Sequence, residues 1–160
     1  AFPAIFMADR GYESYNTFAH IEQKGDKYVV RGRESGTGIC SGLNLPDTEE
    51  YDIEKELYIC KKHSKKVKTN PRKYKRIRSD ATFDFFTDDC EEYRLNLRIV
   101  KIKLSETTTE VLFTNLSKEE FSADDLKRLY HMRWGIETAF DQLKYNHTRI
   151  VWKANYVQFL

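Results

Sequence analysis

The chain has 160 residues, 40% of them apolar and 14% aromatic, which is enough to bury a core and suits one domain; it is not the composition of a disordered chain. Its formal charge is only +2, yet residues 61–78 carry 10 of the 27 Lys and Arg and no acid, leaving 17 bases against 25 acids elsewhere. Three widely spaced cysteines without a C-x-x-C pair argue against a disulfide framework, and the apolar opening AFPAIFMA is far short of the ~20 residues a membrane span needs, so a reducing cytosol is the default location.

In chain order, residues 4–8 (AIFMA) predict a short buried strand that delivers Asp9 to its C-terminal end, just before a turn at Gly11. A start without methionine inside such a run predicts a piece of a longer chain. From Ser14 to Lys24 the apolar Tyr15, Phe18, Ala19 and Ile21 keep helical spacing, and Gly25 stands where a C-capping glycine would. KYVVRGR, 27–33, reads as a second strand, and strand, helix, strand is the grammar of an α/β sheet. The segments ELYICKKH, YKRIRS, TFDFF, YRLNLRIVKIKL and TTTEVLFTN then predict a largely antiparallel β region over 39–115. Cys60 and His63 supply half a zinc pattern with no second pair to complete it, while Cys40 and Cys90 have no partners at ligand spacing.

Ser122 with Asp125 three residues on forms a capping-box pattern, and Phe121 can staple against Leu126. Leu126, Leu129, Met132, Ile136, Phe140 and Leu143 then keep helical time for about six turns. On such a helix Tyr130, Arg133, Glu137 and Lys144 project within a sector of roughly 60° beside the apolar face. Arg, Lys and a phenol can bind phosphate oxygens, and a carboxylate among them is repelled by phosphate unless a hard cation stands between. The plainer alternative is that Arg133 and Glu137, at i and i+4, form a solvated pair. Spacing alone leaves both open.

The pattern Tyr130-x2-Arg133-x3-Glu137-x6-Lys144 resembles the signature of the insertion-sequence-four family of bacterial DDE transposases, and IFMADRGYESYNTFAHIEQKG resembles the family segment that carries the second catalytic aspartate. The resemblance implies a ribonuclease-H-like α/β core, here partial, with a β-rich insertion. Residues 1–38 would be core with Asp9, 39–115 the insertion, 116–145 the core helix with Glu137, and 146–160 a divergent or truncated tail. It implies metal-dependent cleavage and strand transfer of DNA, with Asp9 and Glu137 as catalytic metal ligands for Mg2+ or Mn2+. Tyr130, Arg133 and Lys144 would grip the DNA. The implied partners are double-stranded DNA, as transposon ends and target, and a second copy in a homodimer. The implied setting is a bacterial cytoplasm, with no membrane.

The family's first aspartate lies on a strand upstream of Asp9, and the eight residues before Asp9 hold no acid. The expectation is therefore that this chain alone does not cut DNA. The alternatives are a non-catalytic DNA-binding remnant and a stand-alone nuclease of the same fold. Family members also stack a tryptophan of the insertion on a base; Trp134 and Trp152 lie outside the insertion, leaving Tyr74, Phe85 or Phe86 as substitutes. The basic run 61–78 is expected to meet DNA backbone, with a solvated basic hairpin as the alternative. Arg10 and Glu13 beside Asp9 read as solvated turn residues, and His20 as a surface residue.

Overall fold

A computed structural model of the chain describes residues 4–34, 36, 38–87, 91–132 and 157–159. Strand β1 (Ile5–Ala8) leads through a 3-10 turn (Arg10–Tyr12) to helix α1 (Tyr15–Gln23), then strand β2 (Lys27–Gly32) and a second 3-10 turn (Ile39–Gly42). Strand β3 (Tyr51–Cys60), the short helix α2 (Lys65–Thr69) and strand β4 (Tyr74–Arg76) precede the long β5 (Glu92–Ser105) and β6 (Thr108–Thr114). Helix α3 covers 123–132 of the described residues, and β7 is Val157–Phe159.

Local chemistry sets the helix starts. The Ser14 hydroxyl accepts from the Thr17 amide at 3.0 Å, and α1 ends at Lys24 with Gly25 at φ +76°, the left-handed turn that glycine adopts freely. Before α3 the Ser122 amide and hydroxyl both donate to Asp125 Oδ2, at 3.0 and 2.7 Å, while the Asp125 amide donates back to Ser122 Oγ at 3.2 Å. This is the expected capping box, with aspartate reaching as glutamate does. Phe121 packs in the same apolar cluster as Leu126.

Among the described residues the strands form one mixed sheet of seven, in the order β4-β3-β5-β6-β2-β1-β7. β1 and β2 are parallel, joined by α1; β2–β6, β6–β5 and β5–β3 are antiparallel, and β4 runs parallel to β3. The strands of 51–114 thus continue the sheet that β1 and β2 begin.

The α/β architecture is the expected one, with two local differences. TFDFF is not a strand: the Asp84 carboxylate accepts from Asn16 Nδ2 at 2.9 Å and lies 2.6 Å from His20 Nε2, and the Asp84 amide donates to Asn16 Oδ1 at 3.0 Å. Those bonds to α1 take the place of a strand ladder, and Phe83, Phe85 and Phe86 pack with Tyr93 and His20. The basic run is not a hairpin either, but α2 followed by β4, with Pro71 between them.

Alternation along the strands gives the sheet two apolar faces. One holds Ala8, Tyr28, Val30, Leu95, Leu97, Val111 and Phe113 under Phe18 of α1. The other holds Met7, Val29, Val100, Ile102 and Leu112 under Leu126 and Tyr130 of α3. Helices therefore cover both faces, and the face under α3 carries the polar residues that matter below.

Candidate active site at the end of the first strand

The pairing of β1 with β2 runs from Ile5↔Lys27 to Ala8↔Val30, so one step further Asp9 comes level with Arg31. Asp9 follows Met7 in the two-residue alternation and belongs to the α3 side of the sheet. Its backbone is still extended, φ −84° and ψ 175°, and it caps the 3-10 turn: Oδ1 accepts from the Arg10 amide at 2.8 Å. The side chain is 49% exposed, and Arg31 Nη1 stands 3.6 Å from Oδ1.

Arg31 is held from its other side. Its Nε and Nη2 donate in a fork to the two oxygens of Glu110 on β6, a carboxylate only 5% exposed, which also accepts from Arg10 Nη2 at 3.3 Å. Arg31 faces Leu112 across the β2–β6 ladder, and Glu110 lies two residues from Leu112 on the same face, within diagonal reach. Burial works against the charge on Arg31. The Glu110 hydrogen bond and the neighbouring Glu110 and Asp9 carboxylates together outweigh it and hold the guanidinium more firmly protonated than an ordinary arginine. Tyr130 of α3, 1% exposed, is buried on this same side of the sheet.

The next residue, Gly32, points to the opposite face, where an added Cβ would meet Phe113 Cε2 at 2.5 Å. A buried ring leaves no room there, so the glycine lets β2 lie flat beside β6 just where Arg31 must reach Glu110.

Of the sequence-predicted site residues, Asp9 and Tyr130 are placed on one side of the sheet. Arg133, Glu137 and Lys144 lie outside the described residues. Arg10 is more than a solvated turn residue, since it touches Glu110, and Glu13 bonds the amides of Arg33 at 2.9 Å and Ile39 at 2.5 Å, pinning the loop after β2. His20 is exposed and paired to Asp84, away from Asp9. The sequence reading missed Arg31 and Glu110. The available signal was a charged residue at an inward position of each of two strands, and it shows only once strand register is known.

A divalent cation asks for carboxylate oxygens not already spent on other cations. Glu110 is spent, on two guanidiniums. Asp9 fits as one ligand among several: among the described residues Oδ2 accepts no hydrogen bond, and half the side chain faces solvent. No trio of His, Cys, Asp or Glu that could hold a metal occurs among the described residues, so Asp9 needs partners from elsewhere.

The basic run forms a separate surface. Lys62 pairs with Glu91, Lys66 with Glu92 at 3.1 Å, Lys73 with Glu56 at 3.1 Å and Arg78 with Asp80 at 2.8 Å. Lys61, Lys65, Lys68, Arg72 and Arg76 are exposed and make no ion pair among the described residues. The three aromatic substitutes for a stacking tryptophan are engaged within the chain: Tyr74 on Tyr58, with ring centroids 5.3 Å apart, Phe85 on His20, and Phe86 on Phe83.

The structure thus defines a mixed α/β sheet with a half-exposed carboxylate at the end of a parallel strand, covered on that side by a tyrosine-bearing helix. The transposase DDE domain matches residues 2–155, and the chain belongs to that family. The family makes it a transposase domain acting on DNA. No curated protein matches it. Among the described residues no helix is long and apolar enough to cross a membrane.

Proposed function

We propose that the chain is the catalytic part of a cut-and-paste transposase of the insertion-sequence-four group, with a ribonuclease-H-like core. Asp9 and Glu137 are the carboxylates that hold Mg2+ or Mn2+, and Tyr130, Arg133 and Lys144 grip phosphates of the transposon end. The observation that carries this reading is the placement of Asp9 and Tyr130 on the same side of the sheet. Tyr130 opens the Tyr-x2-Arg-x3-Glu-x6-Lys pattern. When bound, divalent ions polarise the phosphodiester and its attacking oxygen. The chain's own residues orient: the Arg10 amide and Arg31 fix Asp9 Oδ1 and leave Oδ2 open.

In this reading residues 1–38 and 116–145 belong to the core, 39–115 to the insertion and 146–160 to a divergent tail. The enzyme works as a homodimer on double-stranded DNA in a bacterial cytoplasm. A first aspartate joins Asp9 and Glu137 to complete the metal site.

Iron-directed cleavage tests the site without requiring activity. Fe2+ with ascorbate, in place of Mg2+, should cut the backbone near both residue 9 and residue 137, with excess Mg2+ protecting both and Asp9→Ala removing both. Cutting at neither position, or at one that ignores Asp9→Ala, would sink the assignment. The exposed bases of 61–78 favour a second reading, a non-catalytic DNA-binding remnant. It predicts DNA binding indifferent to Mg2+ and no iron-directed cuts.

A further inference from the structure

Four charged groups meet at the end of β1: Asp9 and Glu110, Arg10 and Arg31. Their sum is neutral, but the pairing is uneven. Glu110 takes both guanidiniums, Arg31 in a fork and Arg10 at 3.3 Å, while Asp9 has Arg31 only at 3.6 Å. Asp9 is half exposed and Glu110 is buried. A buried carboxylate left without its cation is strongly disfavoured, so the fork stays closed and Arg31 is anchored at the Glu110 end.

We propose that Glu110 is a positioning residue for Asp9, acting through Arg31: it draws the Arg10 guanidinium and the fork of Arg31 onto itself, leaving Arg31 only a single approach to Asp9 Oδ1, so that Oδ2 stays open to a divalent cation. The inference rests on the metal-site reading of Asp9 given above. Without Glu110 the nearest acid to Arg31 is Asp9, and a guanidinium closing from 3.6 Å into a fork would cover both carboxylate oxygens. A bound arginine and a bound metal then compete for the same oxygens. Arg31 is not surplus in this arrangement. Held at one oxygen, it fixes the rotamer of Asp9 without masking it.

The test uses the full chain and Mn2+ alone as probe, read by paramagnetic broadening of the Arg10 amide, which sits 2.8 Å from Asp9 Oδ1. Glu110→Gln should weaken Mn2+ binding about tenfold, because the freed guanidinium occupies Asp9. The double variant Arg31→Gln/Glu110→Gln, in which two neutral amides replace the fork, should recover most of that loss. Unchanged Mn2+ binding in Glu110→Gln would overturn the proposal. So would a loss that the double variant does not recover, since that is the mark of a merely structural role. A metal-free measurement separates this inference from the reading beneath it. Side-chain NMR of Arg31 should show guanidinium hydrogen bonds to Glu110 in the parent and to Asp9 in Glu110→Gln. If the parent gives no Mn2+ effect at Arg10, the metal reading fails, and the NMR result still decides whether Glu110 restrains Arg31.

Discussion

Glu22 shows how one residue's surroundings become a pH dependence. It sits on α1 with Tyr28 donating its hydroxyl at 3.4 Å, and burial lifts its carboxyl from the usual range to about 7, against the opposing pull of the Tyr28 hydrogen bond and Lys27. The folded chain therefore binds a proton there that the unfolded chain gives up near pH 4.5. Relative stability is fullest below that lower value and declines as pH rises towards about 7. Glu22→Gln, which keeps the acceptor and removes the charge, should match the parent near pH 4. By pH 8 it should melt a few degrees higher, of the order of 1 kcal/mol after allowing for partial exposure. Melting curves across that range check it; parallel curves would mean that Glu22 titrates normally in the fold.

At the scale of elements, Arg98 ties the sheet to the start of α3. It is 3% exposed in the middle of β5, forks onto Asp52 of β3 at 2.9 and 2.8 Å, and donates from Nη1 to the carbonyls of Leu116, Ser117 and Phe121 at 3.1, 3.0 and 2.7 Å. Asp52, for which burial alone would raise the carboxyl, is instead held below the usual carboxylate range by the Arg98 fork and Lys118. One guanidinium thus closes the connection from β6 to α3. Arg98→Ala leaves Asp52 and three carbonyls short of a donor and should cost about 3 kcal/mol in a denaturant melt. Arg98→Lys should recover only part, because an ammonium cannot make the planar fork. If Arg98 fixes α3, amide exchange at 121–126 should rise more than at β1–β2; a uniform rise would assign it to general stability.

These elements also show what the sequence could disclose. Strand β1, helix α1 with its Ser14 cap and Gly25 end, β5, β6 and the Ser122–Asp125 box were all legible, because each is written in local spacing or in a cap. TFDFF misled because alternating aromatics satisfy a docked loop as well as a strand, and the deciding contacts lie 64 and 68 residues away, at His20 and Asn16. The same limit hid half of the candidate site. Asp9 could be picked from its strand-end position and its resemblance, whereas Arg31 and Glu110 gain meaning only when β2 and β6 pair, 79 residues apart in sequence. Tyr130 reads as a phosphate ligand in the signature and is a fully buried side chain in the fold, so its contribution begins with packing α3 on the sheet.

At the scale of the whole molecule, charge is sorted along the sheet. The open carboxylate lies near the β1 side, and the basic surface of α2 and β4 lies at the far edge, beyond β3. A duplex reaching both would be held mainly by cations that are free to replace counterions. Lys66 and Lys73 are already matched by Glu92 and Glu56, so phosphate contact gains little from them. Lys65 and Lys68, three residues apart on α2, are exposed and make no ion pair among the described residues. Removing each phosphate-bound cation lowers the slope of log affinity against log salt by about 0.9. Lys65→Ala/Lys68→Ala should therefore reduce the slope by about 2, and Lys66→Ala/Lys73→Ala by less than half as much. Binding of a duplex across a salt series distinguishes the pairs. Equal losses would mean that DNA displaces the carboxylates and uses all four lysines, while no loss in either pair would take this edge of the sheet off the DNA path.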